Sequence, residues 1–131
     1  MKKIKFGSME ILGYIGLIVW IAVIQLRGMN LSGNACYIFL LGILPNLGAA
    51  WAMTMLGKWI ILLLLKRAYT FRKHVMLCAG ILALGLVSEI AHDLFLNSPF
   101  DIYDMLLSAA AQAVIFLLPI LIKDKFLYSY D

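Results

Sequence analysis

Long apolar runs dominate the chain, and three of them are bounded by charged or turn-forming residues. A transmembrane helix needs roughly 20 mostly apolar residues to cross about 30 Å of hydrocarbon. The runs at about 9–26, 74–96 and 105–122 meet that requirement. Each of the three therefore predicts one membrane-spanning helix.

A fourth run, from 36 to 65, is too long for one upright span, because a helix rises only about 1.5 Å per residue. Pro45 interrupts this run, and proline fits the first turn of a helix better than its interior. We therefore predict that the second span covers about 45–65 and that 36–44 is a short interfacial or re-entrant segment. One long, kinked helix is the alternative. Lys58 is expected to extend towards the near interface.

Composition narrows the class of protein. Of the 131 residues, 64% are hydrophobic and 14% are charged, whereas soluble domains carry about 45–50% apolar and about 25% charged residues. This excludes an ordinary soluble domain, a disordered chain and a nucleic-acid-binding role. The predicted fold is an all-α, four-span transmembrane helical bundle in a lipid bilayer, with residues 1–131 forming a single domain.

Basic residues predict the orientation of the spans. Three precede the first span, four separate the second from the third and two follow the fourth, which accounts for nine of the eleven; Arg27 lies on the other side. These nine residues are Lys2, Lys3, Lys5, Lys66, Arg67, Arg72, Lys73, Lys123 and Lys125. Because cytoplasmic loops carry an excess of Lys and Arg, both termini are predicted to be cytoplasmic.

Polar residues collect at the opposite, outer end of the third span. Glu89 lies about seven residues inside that end, which is about 10 Å deep by helical rise. An ionisable group at such depth is costly and marks a functional-site hypothesis. His92 and Asp93 follow three and four residues later and therefore share its helix face.

The fourth span carries a matching polar stripe, with Asp104, Ser108 and Gln112 recurring every four residues. Gln112 is predicted to lie near the depth of Glu89 and to approach it or share a water with it. Together these groups predict an outward-facing polar pocket. Its candidate residues are Glu89, His92, Asp93, Asp101, Asp104, Ser108, Gln112 and Asn46.

Structural roles for the same residues stay open. Asp101 and Asp104 fit helix N-caps, Glu89 fits a hydrogen-bonded link between spans three and four, and Gln112 fits a bond between helices. His92 and Asp93 are then solvated at the membrane interface.

Small residues such as Gly80 on the third span are expected to permit close helix packing. The acidic cluster lacks established metal-ligand spacing, so we expect no metal site and no cofactor.

The segment 88–113, SEIAHDLFLNSPFDIYDMLLSAAAQA, resembles the signature region of the VanZ-like membrane proteins. Glu89 matches the family's glutamate late in one span, and Asp104 matches the aspartate that opens the last span. His92 and Ser108 stand where the family commonly has glutamine and asparagine. The stretch LPNLGAAWAMTML resembles the family's entry into the second span.

This resemblance implies a multi-pass protein of a bacterial cytoplasmic membrane with a role in the cell envelope, since the family is similar to a protein associated with low-level teicoplanin resistance. Our hypothesis is that the polar pocket binds or acts on a lipid-linked or amphipathic envelope molecule. One alternative is a non-catalytic interaction or assembly subunit, with a membrane-protein partner or a second copy of itself. Another is a membrane-embedded enzyme acting at the outer leaflet. Whether any catalysis occurs is left open.

Overall fold

The computed structural model describes residues 7–29, 35–97 and 99–124, and within these ranges it is helical with no strand. Its helices are α1 (Ser8–Gly28), α2 (Ala35–Trp59), which continues as a π-helical turn over Ile60–Leu64, α3 (Phe71–Leu96) and α4 (Ile102–Leu121). By length and composition all four are able to span a membrane. The predicted all-α, four-span architecture is confirmed. Lys2, Lys3, Lys5 and Lys125, which entered the orientation argument, lie outside the described residues.

The second helix differs from its prediction. It begins at Ala35 and runs through Pro45 without a break, so 36–44 belongs to one long helix, as the alternative prediction had it, and is not a separate interfacial or re-entrant segment. Pro45 has no N–H to donate to the carbonyl of Leu41, four residues earlier. The Arg27 guanidinium of α1 donates to that carbonyl instead, with Nε at 3.1 Å and Nη2 at 2.6 Å. Replacement donors of this kind are what allow proline inside a spanning helix.

The other helix ends lie within three residues of their predicted positions, and local capping explains two of them. The Asp101 carboxylate accepts a hydrogen bond from the Tyr103 N–H at 2.9 Å, which starts α4 at Ile102 rather than at 105. Asn97 ends α3 with a left-handed φ of 51°, a conformation that asparagine tolerates better than most residues.

The closest helix packing lies between antiparallel α1 and α2. A Cβ atom at Gly16 would come within 2.7 Å of the Gly48 carbonyl oxygen, and one at Gly48 within 2.6 Å of the Gly16 oxygen. Only glycine at both positions permits this approach of the two backbones. Gly80 of α3 has open space where a Cβ would lie, so the close packing expected there is not found; the same holds for the space around Gly85.

Two ends of the bundle can be distinguished by their charges. We call the end where α1 and α3 begin the basic end, and the end where α2 and α4 begin the acidic end. The buried residues of α3 are His74 and Cys78, both near the basic end. Towards the acidic end α3 therefore stands apart from the other helices, and this separation creates the cavity described next.

Candidate functional site

A cavity of about 500 Å³ lies in the acidic half of the bundle, between α3 and the other three helices. Six of the eight predicted site residues line it, namely Asn46, Glu89, His92, Asp104, Ser108 and Gln112. Asp93 and Asp101 do not: Asp93 is exposed on α3, and Asp101 caps α4. The two polar stripes of the third and fourth helices thus face one shared space.

Glu89 has a structural partner as well as a place on the cavity wall. Its Oε1 accepts a hydrogen bond from the backbone N–H of Asp101 at 3.0 Å. This bond links the last turns of α3 to the residue that caps α4. The carboxylate therefore holds the two helices together at the mouth.

Gln112 lies deepest among the polar residues of the cavity, and only 4% of it is exposed. Its Nε2 donates to the Thr54 hydroxyl at 3.0 Å, and that hydroxyl in turn donates to the Ala50 carbonyl at 2.7 Å. Gln112 also hydrogen-bonds to Cys78 of α3. Glu89 and Gln112 thus bond to different groups, and Gln112 links α4 to both α2 and α3. What the two side chains share is the cavity.

Asp104 lies at the mouth among charged and polar groups. The carboxylates of Asp101 and Glu89 repel its carboxylate, the positive charge of Arg27 attracts it, and the Asn46 amide hydrogen-bonds it. Arg27 also lines the cavity while bonding to the Leu41 carbonyl. Sequence reasoning used Arg27 only as the basic residue on the acidic side. The missing N–H of Pro45 was the signal that a donor would be needed there.

The charged groups of the cavity lie at its mouth, and most of the deeper wall other than Gln112 is apolar. The carboxylates lie near the acidic end, whereas Met53, Ile81, Leu82 and Leu84 supply apolar surface further in. This arrangement suits an amphipathic molecule, whose polar group is bound at the mouth while its apolar part is removed from water.

One side of the cavity is not closed by helix packing. Within the described ranges α1 and α3 are not an extensively packed pair, although both contribute to the lining. Trp20 of α1 is 38% exposed and Leu84 of α3 is 60% exposed. Both side chains are therefore accessible on the outer surface of the helices, which is the surface that lipid covers around a spanning bundle.

A second polar cluster, which sequence reasoning missed, lies at the basic end. Lys58 of α2 donates to Glu10 Oε1 of α1 at 2.7 Å, with the two side chains 10% and 0% exposed. Glu10 Oε2 accepts the Gly7 N–H at 2.9 Å. Lys58 thus reaches the first turn of α1 and is buried there against Glu10, and its extension towards the near membrane interface stays a prediction. Opposite charges at matching depths of two consecutive antiparallel spans were the available signal.

Tyr69 and His74 continue this cluster. The Tyr69 hydroxyl lies 2.8 Å from His74 Nδ1, and His74 Nε2 lies 3.1 Å from the Phe116 carbonyl oxygen. A carbonyl oxygen only accepts, so we assign the ring hydrogen to Nε2 and the Tyr69 hydroxyl as donor to Nδ1. Burial raises the pKa of Tyr69, and nearby Cys78 and Glu10 act in the same direction. The hydroxyl therefore retains the proton that it donates.

Metal-ligating side chains are dispersed in this part of the molecule. Across 7–29, 35–97 and 99–124, no three His, Cys, Asp or Glu residues form a group that could hold a metal ion. The polar side chains of the cavity offer hydrogen bonds and ionic contacts to an occupant. Comparison of the chain with protein-family models, with curated proteins and with solved structures finds no match in any of the three.

Proposed function

We propose that this multi-pass membrane protein binds an amphipathic molecule in the cavity at its acidic end. The observation that carries the proposal is a cavity of about 500 Å³ with charged groups at the mouth and largely apolar surface within. Ligand sites of proteins are concave, largely apolar and fitted with a few placed polar groups. Ionisable residues inside spanning helices commonly mark such sites.

The direction of the cavity follows from the distribution of basic residues. Lys66, Arg67, Arg72, Lys73 and Lys123 all lie at the end opposite the cavity. Under the positive-inside rule that end is cytoplasmic, so the cavity opens towards the outer leaflet. The VanZ-like resemblance of 88–113 supports a bacterial cytoplasmic membrane and an envelope molecule as the ligand.

A photo-reactive alkyl probe tests this function. The purified protein is reconstituted in phosphatidylcholine nanodiscs, exposed to a diazirine-bearing fatty alcohol and irradiated, and the labelled residues are mapped by mass spectrometry. We expect labelling concentrated on the apolar cavity wall around Met53 and Leu82. An excess of unlabelled fatty alcohol should reduce it, because a cavity saturates whereas the lipid-facing surface does not.

Two glycines of α3 provide a matched pair of variants. Gly85→Trp places a large side chain in the cavity wall, whereas Gly80→Trp places the same side chain outside the cavity; both positions have room for a Cβ. We expect Gly85→Trp to abolish saturable labelling and Gly80→Trp to leave it unchanged. Equal labelling of both variants, spread over lipid-facing residues, would refute the proposal.

An interaction or assembly subunit is the second candidate function. This function is favoured by the exposure of α3, because only 11% of its most apolar 18-residue stretch is buried. A long apolar helix is thus left for a partner to cover. In this case Gly80→Trp, on the exposed part of α3, should disrupt assembly in crosslinking experiments. Gly85→Trp should then have the weaker effect, which reverses the order expected for cavity binding.

A further inference from the structure

The deepest polar atom of the cavity is left without a partner. Gln112 is 4% exposed and lines the cavity, and its Nε2 is used by Thr54. Its Oε1 is buried and has no hydrogen-bond partner among the described residues. Buried acceptors are partnered in the great majority of cases, and leaving one unpaired costs about 1–3 kcal/mol. This oxygen is therefore placed to accept a hydrogen bond from an occupant of the cavity.

Negatively charged side chains also outnumber positively charged ones at the mouth. Glu89 and Asp104 contribute carboxylates, and an ionised carboxylate only accepts hydrogen bonds. The structure supplies Glu89 with the Asp101 N–H and Asp104 with the Asn46 amide. Arg27 is the cationic donor on the wall, and two of its N–H groups bind the Leu41 carbonyl. An occupant that donates hydrogen bonds and carries positive charge complements this mouth.

The acceptors form a row along α4. Asp104, Ser108 and Gln112 lie on one helix face at intervals of four residues, so the row is about 12 Å long by helical rise. The facing wall of α3 is apolar at Ile81 and Leu82. A ligand that lies in this space meets acceptors on one side and hydrocarbon on the other.

We infer that the cavity takes a primary amine attached to an apolar chain. An ammonium group supplies three N–H donors and one positive charge, which match two carboxylates better than a hydroxyl does. An anionic head group would instead meet like charges at the mouth. This inference rests on the proposed function, since it specifies the ligand of the same cavity. The amine can be carried by a lipid or arrive dissolved in water.

Competition among matched probes tests the inference. A diazirine-bearing alkylamine labels the protein in nanodiscs, and unlabelled dodecylamine, dodecyltrimethylammonium and laurate compete with it. These competitors share a chain length, whereas trimethylammonium keeps the charge without N–H donors and laurate reverses the charge. We expect dodecylamine to compete at a concentration about tenfold lower than either, which corresponds to about 1.4 kcal/mol. Competition by 1,8-diaminooctane would identify an amine from water, and competition by dodecylamine alone an amine from the membrane.

Charge-neutral variants connect this preference to named residues. Glu89→Gln and Asp104→Asn keep an acceptor oxygen for their bonds to Asp101 and Asn46 but remove the negative charge. Each should weaken dodecylamine competition about tenfold. Asp93→Asn is the control, because Asp93 lies on the same helix as Glu89 but does not line the cavity. This variant should leave dodecylamine competition unchanged.

The deep oxygen is tested by Thr54→Val combined with Gln112→Leu, since replacing both partners of a hydrogen bond by apolar groups disturbs packing least. This double variant should also weaken dodecylamine competition, while circular dichroism and gel filtration show the fold retained. Should laurate compete as well as dodecylamine in the unaltered protein, the amine inference fails and the binding function stands. If no probe labels the cavity saturably, both fail.

Discussion

The two ends of the bundle use similar polar side chains in opposite ways. At the basic end, Lys58 pairs with Glu10 and Tyr69 bonds to His74, and the groups are buried against one another. At the acidic end, Glu89 and Gln112 face a cavity, and the deeper of the two keeps an unpaired oxygen.

Helix spacing explains this difference. Near the basic end α3 is tied to the bundle through His74, which stacks on Phe116 with ring centroids 5.3 Å apart. Towards the acidic end α3 is mostly exposed. The hydrogen bond that Glu89 accepts from the Asp101 N–H lies at the mouth of the cavity. Polar groups that meet satisfy each other, whereas polar groups held apart remain available to a ligand. Three comparisons between variants of the helical bundle test this contrast.

The largest effect is expected from the buried ion pair. Lys58→Met leaves the Glu10 carboxylate buried and uncompensated, which should lower the free energy of unfolding by about 3–5 kcal/mol. Combining it with Glu10→Gln removes both charges and should recover most of the loss. The measurement is reversible unfolding in mixed micelles by SDS titration, followed by circular dichroism.

Arg72→Met is the matched control for this pair, because Arg72 is an exposed cation at the same end. Its removal should change the free energy of unfolding by no more than about 0.5 kcal/mol. If Lys58→Met were as mild as Arg72→Met, the basic end would not depend on its ion pair, and the contrast between the ends would lose its main support.

An intermediate effect is expected at the glycine contact of α1 and α2. Gly48→Ala brings a Cβ against the Gly16 carbonyl oxygen, and overpacking of this kind costs about 1–3 kcal/mol. Gly80→Ala on α3 meets open space and should leave stability unchanged or raise it, since alanine favours helix. Equal losses in the same unfolding assay would show that α3 packs as tightly as α1 and α2.

The smallest effect is expected at the proline of α2. Arg27→Met removes the donors to the Leu41 carbonyl and should cost about 1 kcal/mol. In a Pro45→Ala background the new N–H reaches that carbonyl, so the same substitution should cost less. A double-mutant cycle measures this coupling and cancels effects of Arg27 that do not involve Pro45. Additive losses would mean that Arg27 does not substitute for the missing N–H.

Helical periodicity was sufficient for much of the candidate site. It placed Glu89 and His92 on one face of α3, and Asp104, Ser108 and Gln112 on one face of α4, and all five line the cavity. Asp93 was grouped with them by spacing alone. A position four residues from Glu89 can lie at the edge of a face, and only the rotation of α3 against its neighbours decides on which side it falls.

Hydrophobicity and length by themselves determined the number of spanning helices, because the cost of placing polar backbone in hydrocarbon leaves a long apolar segment few alternatives to helix. The tertiary structure alone decided the path of α2 through Pro45, since the donor that replaces the missing N–H comes from another helix. It likewise decided that Lys58 pairs with Glu10 while Gln112 keeps an unpaired oxygen. Such outcomes depend on the distance between helices, which is a property of their packing and not of any one segment.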